Sequence, residues 1–171
     1  MDAFKILTFL PLLFYGIALA DLLKEWKRLL DIKNIFLPYA MFTVILTETA
    51  LYNVFIYKDI VHQFNGLGYM RYLAYLIPPF LFMLTVNIFT PDKDVETKGH
   101  FIKQMPRFFA LFGLFVACHF LYDFGESATV SVFRIVVVAM LMIVGFLRKI
   151  WPVYVFGVLW LFSFLLKFGL F

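Results

Sequence analysis

The sequence predicts an all-helical integral membrane protein, a bundle of about six transmembrane helices in a single domain that covers residues 1–171. Hydrophobic residues make up 64% of the chain and charged residues only 15%. The mean hydropathy is +0.92, which is unusual for a soluble domain. The charges are also gathered into a few short stretches. A soluble fold needs polar residues along every element to cover its outside, so this distribution argues against one.

Six apolar segments are each about 18 to 23 residues long, enough to cross the hydrocarbon core as a helix. They are Phe4 to Leu23, Phe36 to Tyr57, Tyr69 to Phe89, Pro106 to Asp123, Thr129 to Leu147 and Trp151 to Phe171. Most charges fall between these segments, including those of 24–33 and 92–103. Thr90-Pro91-Asp92 indicates a helix stop. We expect Pro106 and Pro152 in the first turn of their helices, where a missing backbone donor does no harm.

The basic residues predict the orientation of the chain, because positively charged connections stay in the cytoplasm. The first, third and fifth connections hold most of the bases: Lys24, Lys27, Arg28, Lys33, Lys93, Lys98, Lys103, Arg148 and Lys149. We therefore expect both termini on the non-cytoplasmic side. Attraction of these bases to anionic lipids explains the net charge of +4 without a nucleic-acid partner.

The expected location is a bacterial inner membrane, which the chain crosses several times. The stretch from Gly16 to Leu23, continued by Arg28-Leu29-Leu30, resembles the opening of small multi-span bacterial proteins. This resemblance covers only the beginning of the chain and implies no activity.

An amphipathic helical extension follows the first apolar segment. Leu22, Leu23, Trp26, Leu29 and Leu30 recur at helical spacing, while Lys24, Lys27, Arg28 and Asp31 occupy the other side. One interpretation is a helix in the cytoplasmic headgroup layer, anchored by Trp26 with its bases reaching the phosphates. The other is a docking surface for a cytoplasmic protein partner, formed by Lys24, Trp26, Lys27 and Arg28. The sequence leaves both open.

Polar residues within the apolar segments are the candidate functional residues, because a charge in hydrocarbon costs about 2.5 to 3.5 kcal/mol. With the orientation above, they all fall toward the outer leaflet. They are Glu48, Arg134, His119, Asp123, Arg71, Asn53 and Tyr52. We expect them to line a polar cavity that opens outward and is centred on Glu48 and Arg134.

Two structural alternatives accompany this expectation. Glu48 and Arg134 could simply neutralise each other and fix the helix register. His119 and Asp123 are four residues apart, a spacing that suits a proton relay or half of a metal site, or only an interfacial hydrogen-bonded pair. With a single cysteine, Cys118, and no second histidine within a segment, the sequence predicts no metal site and no cofactor.

In the third segment, Pro78-Pro79 falls close to the membrane midplane. The two prolines remove the backbone donors that would bond to the carbonyls of Ala74 and Tyr75, so we expect a kinked helix. Transporters use such breaks to expose backbone oxygens at a central site, although kinked helices also occur without transport.

No enzyme motif is present in the sequence, whether for a nucleophilic serine, a zinc protease or a phosphate-binding loop. Two functional hypotheses remain. The first is a small channel or transporter for a small ion, expected to be a homo-oligomer because one short chain cannot enclose a pore. The second is a noncatalytic membrane subunit or sensor that binds a cytoplasmic protein through the basic surfaces.

Overall fold

The computed structural model describes residues 3–30, 35–61, 68–92, 95–122 and 128–167. These residues form six α-helices and one short 3-10 turn, with no strand among them. The helices are α1 (Ala3–Leu29), α2 (Leu37–Val61), α3 (Tyr69–Phe89), α4 (Thr97–Cys118), α5 (Ala128–Leu147) and α6 (Trp151–Lys167), and the 3-10 turn His119–Leu121 extends α4. The predicted all-helical fold is therefore confirmed.

Four segments of the described chain are long and apolar enough to cross a membrane: Leu37–Tyr57, Tyr69–Phe89, Thr97–Leu121 and Val130–Leu147. Trp151–Leu165, within α6, is a shorter apolar helix. These segments fit a multi-pass membrane protein. Membrane crossing by α1 and α6 stays a prediction.

Contacts near the helix termini show that α1 to α4 alternate in direction, so the bundle has two ends. The end that holds the C-terminus of α1 and the N-terminus of α4 is called the basic end here. The opposite end, with the N-terminus of α3 and the C-terminus of α4, is called the tyrosine end. Arg28 of α1 contacts Pro91 and Thr97 beside α4 at the basic end, whereas Asn53 of α2 contacts His119 of α4 at the tyrosine end.

Helix α4 begins earlier than the sequence predicted. Thr97 is its first residue, and Pro106 lies inside the helix rather than in its first turn, so that boundary was wrong. Phe101 and Met105 are both buried in the core, four residues apart on one face, and their packing stabilises a helical stretch that charge composition had suggested was a loop. Pro152 does fall in the first turn of α6, as predicted.

Aromatic side chains fill the core between α2, α3, α4 and α6. The ring of Phe42 lies at the centre of this cluster, with Phe108 and Phe109 edge-on to it at 5.3 and 5.2 Å and Phe156 stacked at 5.6 Å. Such edge-on and offset contacts are the favoured arrangements of aromatic quadrupoles. Much of the unusual phenylalanine content is therefore interhelical filling.

Close packing of α4 and α5 depends on small residues. A Cβ atom at Gly145 would lie 2.9 Å from the Cβ of Phe109 and 3.5 Å from the carbonyl oxygen of Pro106. Only glycine allows the two helices to approach this closely. Helix α5 then ends at Leu147, and Arg148 follows with a left-handed backbone, φ 50°. For a non-glycine residue that conformation costs about 1 to 2 kcal/mol.

Candidate functional site

Three polar side chains from three helices meet at the tyrosine end and are called the histidine cluster: Tyr15 of α1, Asn53 of α2 and His119 at the end of α4. The hydroxyl of Tyr15 donates to Oδ1 of Asn53 at 3.2 Å, and Nε2 of His119 lies 2.9 Å from the same oxygen. Asn53 is only 3% exposed. Its Nδ2 donates to the carbonyl oxygen of Thr49 at 2.8 Å. Tyr15 and Asn53 are thus buried, and His119 is half-buried.

The way α4 ends positions His119. Its backbone N–H bonds to the carbonyls of Val116 and Ala117 instead of Phe115, as α4 tightens into the 3-10 turn. The carbonyl oxygen of Phe115 then accepts from Nδ1 of the His119 ring, 3.0 Å away. The last carbonyls of a helix lack helical partners, and a histidine side chain is one of the groups that satisfies them.

This geometry selects the protonation form of His119. The carbonyl of Thr49 can only accept, so Asn53 must direct Nδ2 toward it and Oδ1 toward His119. The carbonyl of Phe115 likewise only accepts. Both ring nitrogens therefore face oxygen acceptors, and only the imidazolium form donates to both. The negative end of the α4 dipole favours the same positive charge.

Next to this cluster, Tyr122 bonds to one of the two carbonyls that Pro78-Pro79 deprives of a helical donor. Its hydroxyl donates to the carbonyl oxygen of Tyr75 at 2.8 Å. The rings of Tyr122 and Tyr75 stack at 5.2 Å with an interplanar angle of 5°. Helix α3 continues as one helix through both prolines.

Glu48 and Arg134, the expected centre of the cavity, lie on helices with different main neighbours. Glu48 is half-buried on α2, which packs mainly on α1, and Arg134 is half-buried on α5, which packs mainly on α4. The guanidinium carbon of Arg134 lies 5.1 Å from the centre of the Phe120 ring, a cation–π contact. Val44, Leu51 and Phe55 are exposed on the side of α2 that carries Glu48.

The remaining predicted site residues differ in how far they are buried in the protein. Asn53 and His119 contact each other, whereas Tyr52 and Arg71 are exposed, and the outward-opening cavity stays a prediction. Asp123 lies outside the described residues, so its predicted pairing with His119 stays a prediction.

At the basic end, a second polar group forms the arginine cluster: Glu25 and Arg28 of α1 and Tyr39 of α2. Oε2 of Glu25 accepts from the hydroxyl of Tyr39 at 2.7 Å and from Nε of Arg28 at 3.0 Å. Glu25 is 6% exposed. An acid and a base that are buried together neutralise each other and define how their elements pack.

Arg28 also binds the connection between α3 and α4. Its Nη2 donates to the carbonyl oxygens of Asp92 at 3.0 Å and Pro91 at 3.3 Å, and Nη1 lies 3.4 Å from that of Val95. The planar guanidinium can make several such bonds at once. Arg28 thus holds α1 against the α3–α4 connection, a role that the predicted docking surface did not include.

Trp26, Lys24 and Lys27 complete the residues predicted for that surface. Nε1 of Trp26 donates to Oγ1 of Thr47 on α2 at 3.1 Å, although part of the ring stays exposed. The side chain of Lys24 is 73% exposed and pairs with Asp21 at 2.7 Å. Lys27 is also exposed. The two lysines remain accessible to a headgroup or a partner.

The sequence analysis missed Tyr15, Glu25 and Tyr39. A signal for Glu25 was present, because it falls on the apolar stripe of α1, three residues after Leu22 and four before Leu29. Tyr15 and Tyr39 carried no such signal, since a tyrosine fits any apolar helix face.

In the part of the chain that the structure describes, no group of three or more His, Cys, Asp or Glu side chains is arranged to hold a metal ion. Comparison of the sequence with protein-family models and with curated proteins gives no match, and neither does comparison of the fold with solved structures.

Proposed function

We propose that this protein is a small membrane transporter for a small ion, with proton binding at His119 as part of its cycle. The observation that carries the proposal is that both ring nitrogens of His119 face oxygen acceptors within a candidate membrane span. A histidine in this setting binds a proton in one state and must rearrange its hydrogen bonds to release it. That coupling of protonation to packing is what a proton-linked transporter needs.

The proposed orientation places the basic end in the cytoplasm and both termini outside, in a bacterial inner membrane. The distribution of lysine and arginine among the connections supports it. The histidine cluster then lies toward the outer leaflet and is accessible from that side when the cycle opens it. Fluorescent labelling of single cysteines placed in the 62–68 and 148–150 connections, on intact cells, tests the assignment.

The proposed moving part is α3, kinked at Pro78-Pro79. The bond from Tyr122 to the carbonyl of Tyr75 supports this, because it links the proline-modified turn to the residue three positions after His119. A shift of the His119 turn on proton binding would release this carbonyl. A broken helix that exposes a backbone oxygen is a known way to make an ion site in the membrane.

The proposed assembly is a homo-oligomer that uses the exposed side of α2 as the contact between copies. Glu48 lies on that side, among Val44, Leu51 and Phe55. A carboxylate there is more favourably placed at a protein interface than in lipid. Light scattering in detergent tests this: Glu48→Leu is expected to change the subunit number, and an unchanged mass would contradict it.

Flux through reconstituted liposomes, followed with an internal pH-sensitive dye, tests the function. Wild-type protein is expected to carry protons, alone or with sodium or potassium, and His119→Gln to lower the flux at least about tenfold. The reason is that one charge-assisted hydrogen bond contributes about 1.5 to 3 kcal/mol. The control is His100→Gln, because His100 bonds to the Ile88 carbonyl at the other end of α4.

The same flux assay distinguishes an ion path centred on His119 from one centred on Glu48 and Arg134. If Glu48→Gln abolishes flux while His119→Gln preserves it, the path is centred on Glu48 and Arg134 as the sequence suggested. If neither the wild type nor any variant moves ions, transport is ruled out as the function.

A noncatalytic subunit that binds a cytoplasmic protein is the second candidate. The exposure of Lys24 and Lys27 at the basic end favours it. An acidic partner that is captured by wild-type protein and lost on Lys24→Gln with Lys27→Gln would support this function over transport.

A further inference from the structure

A pocket of about 200 Å³ lies at the basic end between α4 and the connection that joins α5 to α6. Its lining residues are Lys103, Gln104, Pro106, Arg107 and Arg148. Three of them are cations, one is a neutral amide that can donate, and none is an acid. Like charges gathered around one space repel each other, so an anion in that space would stabilise the arrangement.

The backbone contributes to the convergence of these charges. Lys103 and Arg107 are four residues apart and share a face of α4. Arg148 reaches the pocket from a left-handed backbone position, φ 50°, which glycine or asparagine would adopt more easily. A left-handed residue is common directly after a helix C-terminus, and here it lies where the side chain of Arg148 lines the pocket.

The surroundings of the pocket are apolar and exposed. Phe146 is 87% exposed just before Arg148, Trp151 is 61% exposed just after it, and Ile102 precedes Lys103 on α4. In a membrane-spanning chain these side chains contact acyl tails, and a tryptophan at a helix end marks the headgroup level. The charged pocket therefore opens where phospholipid phosphates lie.

We propose that Lys103, Arg107 and Arg148 form a specific binding site for the phosphate group of an anionic phospholipid. The two guanidinium groups bind phosphate oxygens, the ammonium of Lys103 supplies a further donor, and the acyl chains lie along Phe146 and Ile102. The site is distinct from the histidine cluster and does not depend on transport.

Thermal unfolding of the full-length protein in detergent, with added dioleoyl phosphatidylglycerol, tests the proposal. The melting temperature is expected to rise with this lipid and to stay constant with dioleoyl phosphatidylcholine or inorganic phosphate. Arg148→Gly removes the guanidinium at a backbone position that suits glycine, so the variant folds without loss of stability. Its apparent affinity for phosphatidylglycerol is expected to be about tenfold weaker.

Lys149→Gln is the matched control, because it removes one charge from the same connection but does not line the pocket. Its affinity is expected to stay at the wild-type value. Equal losses of phosphatidylglycerol affinity in Arg148→Gly and Lys149→Gln would show that the effect depends on net charge alone, and would overturn the site. An equal rise in melting temperature with inorganic phosphate would also overturn it. Should Arg148→Gly unfold, Arg107→Gln provides the same comparison from α4.

Discussion

At the basic end, the buried carboxylate of Glu25 bonds to both Arg28 and Tyr39, whereas at the tyrosine end the two ring nitrogens of His119 lie against the side-chain oxygen of Asn53 and the carbonyl oxygen of Phe115. In the first arrangement an acidic and a basic side chain lie in direct contact and offset each other's charge. In the second, both ring nitrogens can donate only when the imidazole is protonated. One polar group thus contains an acid–base pair, whereas the other contains an imidazole whose two hydrogen bonds depend on its protonation.

The arginine cluster contains a buried acid–base pair that the sequence did not suggest. The sequence suggested a pair of Glu48 on α2 with Arg134 on α5, which stays a prediction. The described chain buries Glu25 with Arg28, one turn apart on α1. A pair within one helix requires no particular packing to form, and its burial then depends on the neighbours that cover it.

The largest expected effect comes from breaking the arginine cluster. Glu25→Ala leaves the partly buried guanidinium of Arg28 and the hydroxyl of Tyr39 without their carboxylate, and we expect it to lower the free energy of unfolding by about 3 kcal/mol. Titration with sodium dodecyl sulfate in mixed micelles measures this. Lys24→Ala removes an exposed pair on the same helix and should cost less than about 1 kcal/mol. Similar costs for the two variants would refute the structural role of the cluster.

The next largest loss of stability is expected from a change at Asn53, the shared acceptor of the histidine cluster. Asn53→Leu removes the oxygen to which both Tyr15 and His119 bond, and unsatisfied buried donors should lower the free energy of unfolding by about 2 kcal/mol. Nitrogen-15 spectra of labelled histidine provide a sharper measurement. Wild-type His119 should show two protonated ring nitrogens, and Asn53→Leu should remove the Nε2 proton signal. A wild-type spectrum in which His119 is a mixture of the two neutral tautomers would contradict the protonated form expected from its two acceptors.

The change Tyr122→Phe should have a smaller effect on stability, because the new phenylalanine ring still stacks on Tyr75. Tyr122→Phe removes the donor to the Tyr75 carbonyl and should cost about 1 kcal/mol. In a Pro79→Ala background, where residue 79 regains the N–H that bonds to this carbonyl, the cost should fall toward zero. Thermal unfolding of the four proteins of this cycle gives the coupling. Equal costs in both backgrounds would show that Tyr122 does not replace the missing helical bond.

The smallest effect is expected at Trp26, which is partly exposed. Trp26→Phe removes the bond to Thr47 and should lower the free energy of unfolding by about 0.5 to 1 kcal/mol. Trp151→Phe is the control, since Trp151 is largely exposed on α6, and it should change stability by less than this. A larger loss from Trp151→Phe would mean that the exposed tryptophan contributes more than the bonded one.

Much of the fold was predictable from residue type and spacing. Apolar segments of membrane length gave the helices, and Thr90-Pro91-Asp92 marked the end of α3, which the structure places at Phe89. The start of α4 was not predictable from composition, because its first turns carry charges on one side and Phe101 and Met105 on the other. Only the burial of those two residues against the core makes that stretch a helix in this protein.

The candidate site was predictable only in part, and the reason is geometric. Periodicity assigns a residue to a face of its own helix, but it does not say which helix covers that face or how the two are rotated. Asn53 and His119 were therefore expected to be near each other without a stated contact, and Tyr15 was not expected at all.

The sequence by itself determined that the chain is helical and that its apolar segments are long enough to fit a multi-pass membrane protein, since these depend on local composition and on segment length. The tertiary structure alone decided which polar groups meet: Glu25 with Tyr39, His119 with Asn53, and Tyr122 with a carbonyl left open by proline. These contacts join residues far apart in the chain, and side-chain packing between helices selects them.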